Sequence, residues 1–187
     1  MSASGGAAGR EIERVWTLSA RPTIPAGAEV WEIEQGYLAP MMASEEALAK
    51  VGFPEGRLRR IVEPTGRERF FHTVKSGSGV VRVETEREIT REEFEAAWPR
   101  TEGRRISKTR HRVRDVGFGR AGGGFGRELV WEIDFFHELP LAMAEVELPQ
   151  EHAACPFPEW LAPVIAREVS EDARYRNAAL AMYGLPT

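Results

Sequence analysis

Charged residues stand at alternate positions in several short segments of the chain, and this spacing is the feature most able to support chemistry. Side chains at positions i and i+2 of a β-strand point to the same face, so each set would present its charges together. The acidic sets are Glu11 and Glu13, Glu132 and Asp134, and Glu145 and Glu147; the basic sets are Arg57 and Arg59, and Lys108, Arg110, Arg112 and Arg114; the mixed set is Arg82, Glu84, Glu86 and Glu88.

This pattern has an ordinary explanation and a functional one. On a single strand, a charged face usually meets solvent while the apolar face meets the core. Here positive and negative charges are spread over six strands. A barrel with a charged interior explains this set better, because neighbouring like charges repel unless something neutralises them. Carboxylates inside such a barrel would hold a hard cation such as Mg²⁺ or Mn²⁺, and Arg and Lys would hold a polyanion.

The segments that carry these charges are predicted to be β-strands. Each is short, and most are bounded by Gly, Pro or polar residues. Eight such segments favour a closed antiparallel barrel or a sandwich, in a mainly β member of the α+β class. The predicted strands are 11–17, 30–38, 57–62, 69–75, 80–89, 105–114, 127–136 and 143–148.

Helix signals are fewer. Thr90 and Glu93 form a capping box ahead of an apolar stretch that Pro99 ends. A short helix is predicted at 44–50. Ser170 is predicted to cap a last helix with two acidic residues in its first turn, where they oppose the helix dipole.

Composition limits the class of protein. The 187 residues are 42% hydrophobic and 29% charged, which indicates a globular chain, and we expect one domain at 10–187 after a flexible Gly/Ala-rich tail at 1–9. A formal net charge of −4 predicts that DNA is not a partner. The lack of a long apolar stretch predicts that the membrane is not a partner either. The single Cys155 favours a reducing, cytoplasmic location. The Gly-rich stretch 117–126 precedes a strand, so it is interpreted as a hairpin loop.

The charged sets belong to a longer pattern that resembles the CYTH family of triphosphate tunnel proteins, from about residue 10 to the end of the chain. Glu11-Ile-Glu13-Arg14 resembles the family's opening E-x-E-x-K, Gln35-Gly-Tyr37-Leu38 its second strand, Arg57-Leu-Arg59 its R-x-R, and Lys108-Thr-Arg110 its K-x-R. The central hairpin at 73–86, the last barrel strands at 131–134 and 144–147, and the closing helix at 169–177 are similar to those of the short bacterial branch.

The resemblance implies an eight-stranded antiparallel tunnel with helices packed outside, which binds a triphosphate through Mg²⁺ or Mn²⁺. Members hydrolyse tripolyphosphate, thiamine triphosphate or RNA 5′-triphosphate ends, and some are class IV adenylate cyclases. The expected partner is therefore a small triphosphate: tripolyphosphate, thiamine triphosphate or a nucleoside triphosphate. A homodimer stays open as the assembly.

The resemblance also implies a role for individual residues. The carboxylates on the metal side would be Glu11, Glu13, Glu145 and Glu147, followed by Asp134, Glu84 and Glu86. The phosphates would be held by Arg57, Arg59, Lys75, Arg82, Lys108 and Arg110. Tyr37 would face the reacting water, and Arg174 would reach in from the C-terminal helix.

One position departs from the family pattern. The family's lysine two residues after the second glutamate is Val15 here, on the same strand face as Glu13. Three functions therefore stay open: a triphosphatase, a catalytically weakened module that binds polyphosphate or a nucleotide, and an adenylate cyclase. The first two differ in whether tripolyphosphate is turned over, and the third is the least supported because no adenine-binding feature is evident.

Overall fold

The computed structural model of the protein describes residues 8–39, 53–76, 81–115, 129–150, 153 and 155–187. Residues 1–7 of the predicted tail, the predicted helix at 44–50 and the Gly-rich stretch 117–126 lie outside the described residues.

Within these ranges the protein is mainly antiparallel β-structure. Each of the eight predicted strands is present, and their ends differ from the prediction by three residues or fewer. A ninth short strand was not predicted, because its four residues are too few to show an alternating pattern. The strands are β1 (Ala8–Leu18), β2 (Glu29–Tyr37), β3 (Arg57–Val62), β4 (Glu68–Ser76), β5 (Val81–Ile89), β6 (Arg105–Asp115), β7 (Leu129–Phe136), β8 (Ala142–Glu147) and β9 (Ile165–Glu168).

The strands form one antiparallel sheet in the order β5-β4-β3-β2-β6-β7-β8-β1-β9. An additional pairing joins β1 to β5. Strand β1 makes these contacts with different parts of its length, since residues 8–12 pair with β5 and residues 13–17 pair with β8. The register therefore aligns the alternating charged positions of neighbouring strands.

The predicted capping box is confirmed at helix α1 (Arg91–Ala97). The Thr90 hydroxyl accepts a hydrogen bond from the Glu93 backbone N–H, and the Glu93 carboxylate accepts one from the Thr90 backbone N–H. The α-helix ends at Ala97, and Pro99 lies in the 3-10 helix Trp98–Thr101 that follows. This 3-10 helix packs on β2 where Gly36 has no side chain, since a Cβ there would lie 2.5 Å from the Thr101 hydroxyl oxygen.

A last helix is present, but its predicted start and cap at Ser170 were wrong. The backbone of Arg176 is extended, and it separates the 3-10 helix Ala173–Tyr175 from helix α2 (Asn177–Tyr183). Asp172, and not Ser170, caps the 3-10 helix through a hydrogen bond from the Arg174 backbone N–H. The Ser170 hydroxyl instead accepts a hydrogen bond from the Val15 backbone N–H at 2.9 Å, so it ties the C-terminal segment to β1.

The apolar residues between the charged positions form the core on the opposite face of the sheet. Trp16, Trp131, Ile133 and Val146 are all buried there and pack against Leu161. Residues from the segment 153–165 complete this cluster. The charged faces of the same strands are thus turned away from this core.

No helix in the described ranges is long and apolar enough to cross a membrane.

Candidate functional site

The charged faces of the strands line a cavity of about 730 Å³. Every strand from β1 to β8 contributes at least one residue to its lining. The lining contains basic and acidic side chains together. The bases are Arg57, Arg59, Lys108, Arg110, Arg112 and Arg176, and the acids are Glu13, Glu55, Glu86, Glu132, Glu145 and Glu147.

Two acidic residues face each other across the pair formed by β1 and β8. Glu13 is the register partner of Glu147, and Val15 is the register partner of Glu145. All four residues line the cavity. Val15 therefore lies between carboxylates, at the position where the family pattern has a lysine, and it also packs against the apolar cluster of Val169.

The floor of the cavity is a buried ion network centred on Arg110. Its Nε donates to Asp134 Oδ1 at 2.6 Å, and its Nη2 donates to Asp134 Oδ2 at 2.6 Å and to Glu145 Oε2 at 2.5 Å. Lys108 Nζ donates to Asp134 Oδ2 at 2.5 Å. Glu132 accepts from both Arg110 and Arg112. Asp134 has no exposed surface, and its charge is balanced by Lys108 and Arg110.

The network gives its two buried carboxyl groups, Asp134 and Glu145, very different pKa values. Burial works against the Asp134 charge, but Arg110 and Lys108 outweigh it and lower the pKa of Asp134 to about 2. Burial raises the pKa of Glu145 to about 7, because the Arg110 nitrogen that it shares with Asp134 compensates only part of the lost hydration. Burial also lowers the pKa of Lys108, and the neighbouring Arg110 lowers it further. Glu145 is thus the carboxyl group in this network that most needs another cation.

A second group of bases lies on β3. Arg59 Nη2 is 2.7 Å and Arg57 Nη2 is 3.3 Å from the same oxygen of Glu86, Oε2. Thr73 Oγ1 also donates to that oxygen, at 2.8 Å. One carboxylate therefore holds two guanidinium groups side by side, and both line the cavity. Paired guanidinium groups of this kind suit phosphate, which accepts several hydrogen bonds at once.

Tyr37 lies at the end of β2 and lines the cavity, as does Gln35 two residues earlier. The predicted position of Arg174 differs from the observed one. Arg174 is largely exposed, where its guanidinium donates to Asp172 at 2.9 Å, and the C-terminal residue that contributes a guanidinium to the lining is Arg176. The expected continuous helix is interrupted by the extended backbone at Arg176, and this interruption explains why Arg176 and not Arg174 lines the cavity.

Four predicted site residues are described through their backbone only. Glu11 is the register partner of Arg82, and Lys75 is the register partner of Glu84. Sequence reasoning did not select several residues that line the cavity. Arg112 and Glu132 stood in the alternating sets and were detectable by parity, whereas Gln35, Thr73 and Arg176 gave no charge pattern.

The arrangement of the acids fits a metal ion whose coordination shell is completed by the substrate. In the part of the chain that the structure describes, no group of three or more His, Cys, Asp or Glu side chains is placed to hold a metal ion by itself. Mg²⁺ characteristically takes one or two carboxylates and completes its shell with water and substrate phosphates. The facing pair Glu13 and Glu147, with Glu145 beside them, matches that requirement.

The fold and the site define a mainly antiparallel β-protein whose cavity holds acidic and basic groups suited to a polyanion with a divalent cation. No protein-family model matches the chain. It is 37% identical over 177 residues to an inorganic triphosphatase of Nitrosomonas europaea, across 92% of this chain and 97% of the relative. It is 32% identical over 158 residues to an inorganic triphosphatase of Acetivibrio thermocellus, across 80% of this chain and 92% of the relative.

The fold comparison agrees. The crystal structure of the inorganic triphosphatase NE1496 superposes with a TM-score of 0.54 at 31% identity, and covers 94% of this chain and 97% of its own. The chain belongs to the CYTH family, the family that its motifs resemble.

Proposed function

We propose that this protein is a metal-dependent triphosphatase that hydrolyses inorganic tripolyphosphate or a small organic triphosphate. The observation that carries the proposal is the pairing of two groups in one cavity: the bases Arg57, Arg59, Lys108 and Arg110, and the acids Glu13, Glu145 and Glu147. A triphosphate with a divalent cation satisfies both groups at once. The bacterial relatives named inorganic triphosphatase support the same activity.

The proposal includes a tunnel built within one domain at 10–187. The pairing of β1 with β5 supports closure of the eight strands β1 to β8, because it joins the two ends of that strand order. The lining from all eight strands supports a site inside this closed sheet. Within such a tunnel the phosphates would be surrounded on all sides and shielded from bulk water.

The metal in this proposal is Mg²⁺ or Mn²⁺, which would bind among Glu13, Glu145 and Glu147 only together with the substrate phosphates, since these side chains are not placed to hold it by themselves. When bound, it neutralises charge on the phosphate oxygens and makes the terminal phosphorus easier to attack. Glu86 and Asp134 are assigned a different role from the one first expected, since both accept hydrogen bonds from the bases and orient them. Glu11 and Glu84 remain candidate ligands from the family pattern.

Catalysis would then depend on positioning and charge. Arg57, Arg59, Lys108 and Arg110 hold the phosphates and stabilise the negative charge that shifts towards the leaving group. Water would attack the terminal phosphorus, and Tyr37, which lines the cavity, would orient it. The products are inorganic phosphate and a diphosphate.

Val15 favours a second candidate, a module that binds triphosphate and turns it over slowly. An isopropyl group stands where the family has an ammonium group able to activate water, while the phosphate-holding bases are retained. Release of phosphate from tripolyphosphate with Mg²⁺ or Mn²⁺ separates the two candidates. A thermal melt with the same ligands shows binding independently, since ligand at a hundredfold over Kd adds about 2.7 kcal/mol to the free energy of unfolding.

A further inference from the structure

Arg176 differs from the other bases of the cavity in its pairing. Among the residues that the structure describes, no acidic side chain forms an ion pair with Arg176, which is partly buried and lines the cavity. Its positive charge is therefore available to an anion inside the cavity. Each of the other lining bases binds at least one carboxylate: Arg57 and Arg59 bind Glu86, Lys108 and Arg110 bind Asp134, and Arg112 binds Glu132.

The backbone around Arg176 directs a short segment towards the cavity. Arg176 is extended, with φ −67° and ψ 139°, between the 3-10 helix and α2. Its neighbours Tyr175, Asn177 and Ala178 line the cavity as well. The side-chain oxygen of Asn177 is buried and has no hydrogen-bond partner among the described residues. The segment thus presents two polar groups to the cavity that no described protein group satisfies.

The C-terminal segment is attached to β1 at Val15. The Val169 backbone N–H donates to the Val15 carbonyl oxygen at 2.8 Å. The Val15 backbone N–H donates in turn to the Ser170 hydroxyl oxygen at 2.9 Å. Val169 and Ser170 both line the cavity, as Val15 does. The segment therefore begins on the wall of the cavity that β1 forms.

Two turns keep the chain compact between this attachment and Arg176. The backbone N–H of Asp172 donates to the Val169 carbonyl oxygen, and that of Tyr175 donates to the Asp172 carbonyl oxygen, each at 3.0 Å. The side chains of Val15 and Tyr175 pack against the same apolar cluster, and both line the cavity. Arg176, which follows Tyr175, is therefore held on the side of the cavity that Val15 lines.

This side of the cavity otherwise carries negative charge. The described bases on strands come from β3 and β6. A phosphate that a metal ion draws towards Glu145 would meet the uncharged Val15, which is the register partner of Glu145. A cation that reaches this side from outside the strands would supply the missing charge. The described residues of β1 and β8 that line the cavity include no base: they are Glu13, Val15, Glu145, Val146 and Glu147.

We propose that Arg176 is a further phosphate-binding residue, which the C-terminal segment brings to the side of the cavity where β1 and β8 offer no base. This inference rests on the proposed triphosphate site and adds one residue to it. A guanidinium group can donate two parallel hydrogen bonds to a phosphate. Because Arg176 would hold the phosphate both before and during the reaction, its removal should raise KM more than it lowers kcat.

The test separates the charge of Arg176 from its place in the fold. Arg176→Gln removes the charge, and Arg176→Lys keeps it. Arg67→Gln is the control, because Arg67 is exposed in the turn between β3 and β4 and does not line the cavity. Calorimetry with Mg²⁺ measures Kd for imidotriphosphate, an analogue of tripolyphosphate whose nitrogen bridges resist hydrolysis. Steady-state kinetics with tripolyphosphate give KM and kcat for the same proteins.

Arg176→Gln is expected to raise Kd by about 10- to 100-fold, because a charge-assisted hydrogen bond to phosphate is lost. Arg176→Lys should recover part of this loss, since an ammonium group keeps the charge but not the paired donors. Arg67→Gln should stay within about twofold of the wild type. A Kd for Arg176→Gln within twofold of the wild type, or equal losses in the glutamine and lysine variants, would overturn the proposal.

A second arm tests the side of the cavity on which Arg176 acts. Val15→Lys in the Arg176→Gln background should recover most of the lost affinity, because it returns a cation to the same wall. In the wild type the same substitution should change Kd little, since Arg176 already supplies that charge. Melting of the ligand-free proteins shows that each variant is folded. A folded double variant that binds no more tightly than Arg176→Gln would contradict the placement of Arg176 beside Val15.

Failure of the proposed function is distinguishable from failure of this inference. If the wild type binds imidotriphosphate but releases no phosphate from tripolyphosphate, the triphosphatase proposal fails, and the values of Kd still decide the role of Arg176. If the wild type does not bind imidotriphosphate, the phosphate site and the role of Arg176 are both rejected.

Discussion

The side-chain amide of Gln35 donates a hydrogen bond to the hydroxyl oxygen of Tyr37, with 3.0 Å between the two atoms. Gln35 is only 1% exposed, so its amide is held in a fixed position by the surrounding protein. Both side chains line the cavity. The bond therefore fixes the Tyr37 oxygen at the cavity wall.

We expect Tyr37→Phe to lower kcat for tripolyphosphate by about 10- to 100-fold with a smaller change in KM, because an orienting group for water is lost while the bases remain. Gln35→Met, which has a similar size but no donor, should give part of this loss. Steady-state kinetics check both variants, and Tyr183→Phe at an 81% exposed position is the control. Wild-type kcat in Tyr37→Phe would exclude Tyr37 from the reaction.

The second prediction concerns Val15. Val15→Lys restores the ammonium group of the family pattern beside Glu145 and should raise kcat by up to about 10²-fold, with little change in affinity. Val15→Met is the matched control, because it has a comparable length and no amine. If the lysine variant folds and binds but turns over no faster, or if the wild type is already as fast as its relatives, this site activates water without that lysine.

The third prediction concerns the metal carboxylates. Glu147→Gln and Glu145→Gln keep the side-chain size but remove the charge that a hard cation requires, so the Mg²⁺ concentration for half-maximal activity should rise at least about tenfold. Glu159→Gln, at an exposed position outside the cavity, should leave it unchanged. A titration of activity with Mg²⁺ measures all three variants. Equal behaviour of the three would remove these residues from the metal site.

The sequence predicted the strands and the direction of their charged faces because both depend on alternation, a local property. Glu13 and Val15 line the cavity as their shared parity required, and the capping box at Thr90 and Glu93 is present. Arg174 was expected to enter the cavity because a continuous helix was assumed. The extended backbone at Arg176 depends on how the C-terminal segment packs against β1, and no local pattern reveals such a contact.

The sequence also could not predict which charged side chains pair with each other in the ion network. The resemblance to the family placed Asp134 and Glu86 among the candidate metal carboxylates. In the structure, each of these carboxylates binds two cationic side chains, and only the register between β6 and β7 and between β3, β4 and β5 brings these groups together. Cross-strand register is set by the whole sheet, so parity alone could not distinguish a metal ligand from an orienting acid.

The fourth prediction uses the pKa of Glu145, which burial raises from 4.5 to about 7. The folded protein holds this proton more tightly than the unfolded chain does, so the resulting stabilisation is present below about pH 4.5 and is lost as the pH rises to about 7. The melting temperature of the metal-free wild type should therefore fall between about pH 4.5 and about pH 7 relative to Glu145→Gln. Parallel melting curves for the two proteins across this range would contradict the assignment.

The same titration has a consequence for metal binding. The carboxylate form of Glu145 is the one that binds a cation, so the affinity for Mg²⁺ in the presence of tripolyphosphate should increase over the same pH range and binding should release a proton. Calorimetry in two buffers of different ionisation enthalpy measures that proton. In Glu145→Gln the release should be absent.

The most direct test of the account is to follow tripolyphosphate by ³¹P NMR, once with Mg²⁺ and once with a chelator in place of the metal. A parallel assay of phosphate release tests Mn²⁺. The account predicts phosphate and pyrophosphate in equal amounts, formed only when the divalent metal is present and lost in Glu147→Gln. Intact tripolyphosphate after prolonged incubation, in a protein whose melting temperature the ligand nevertheless raises, would contradict a triphosphatase and identify a binding module.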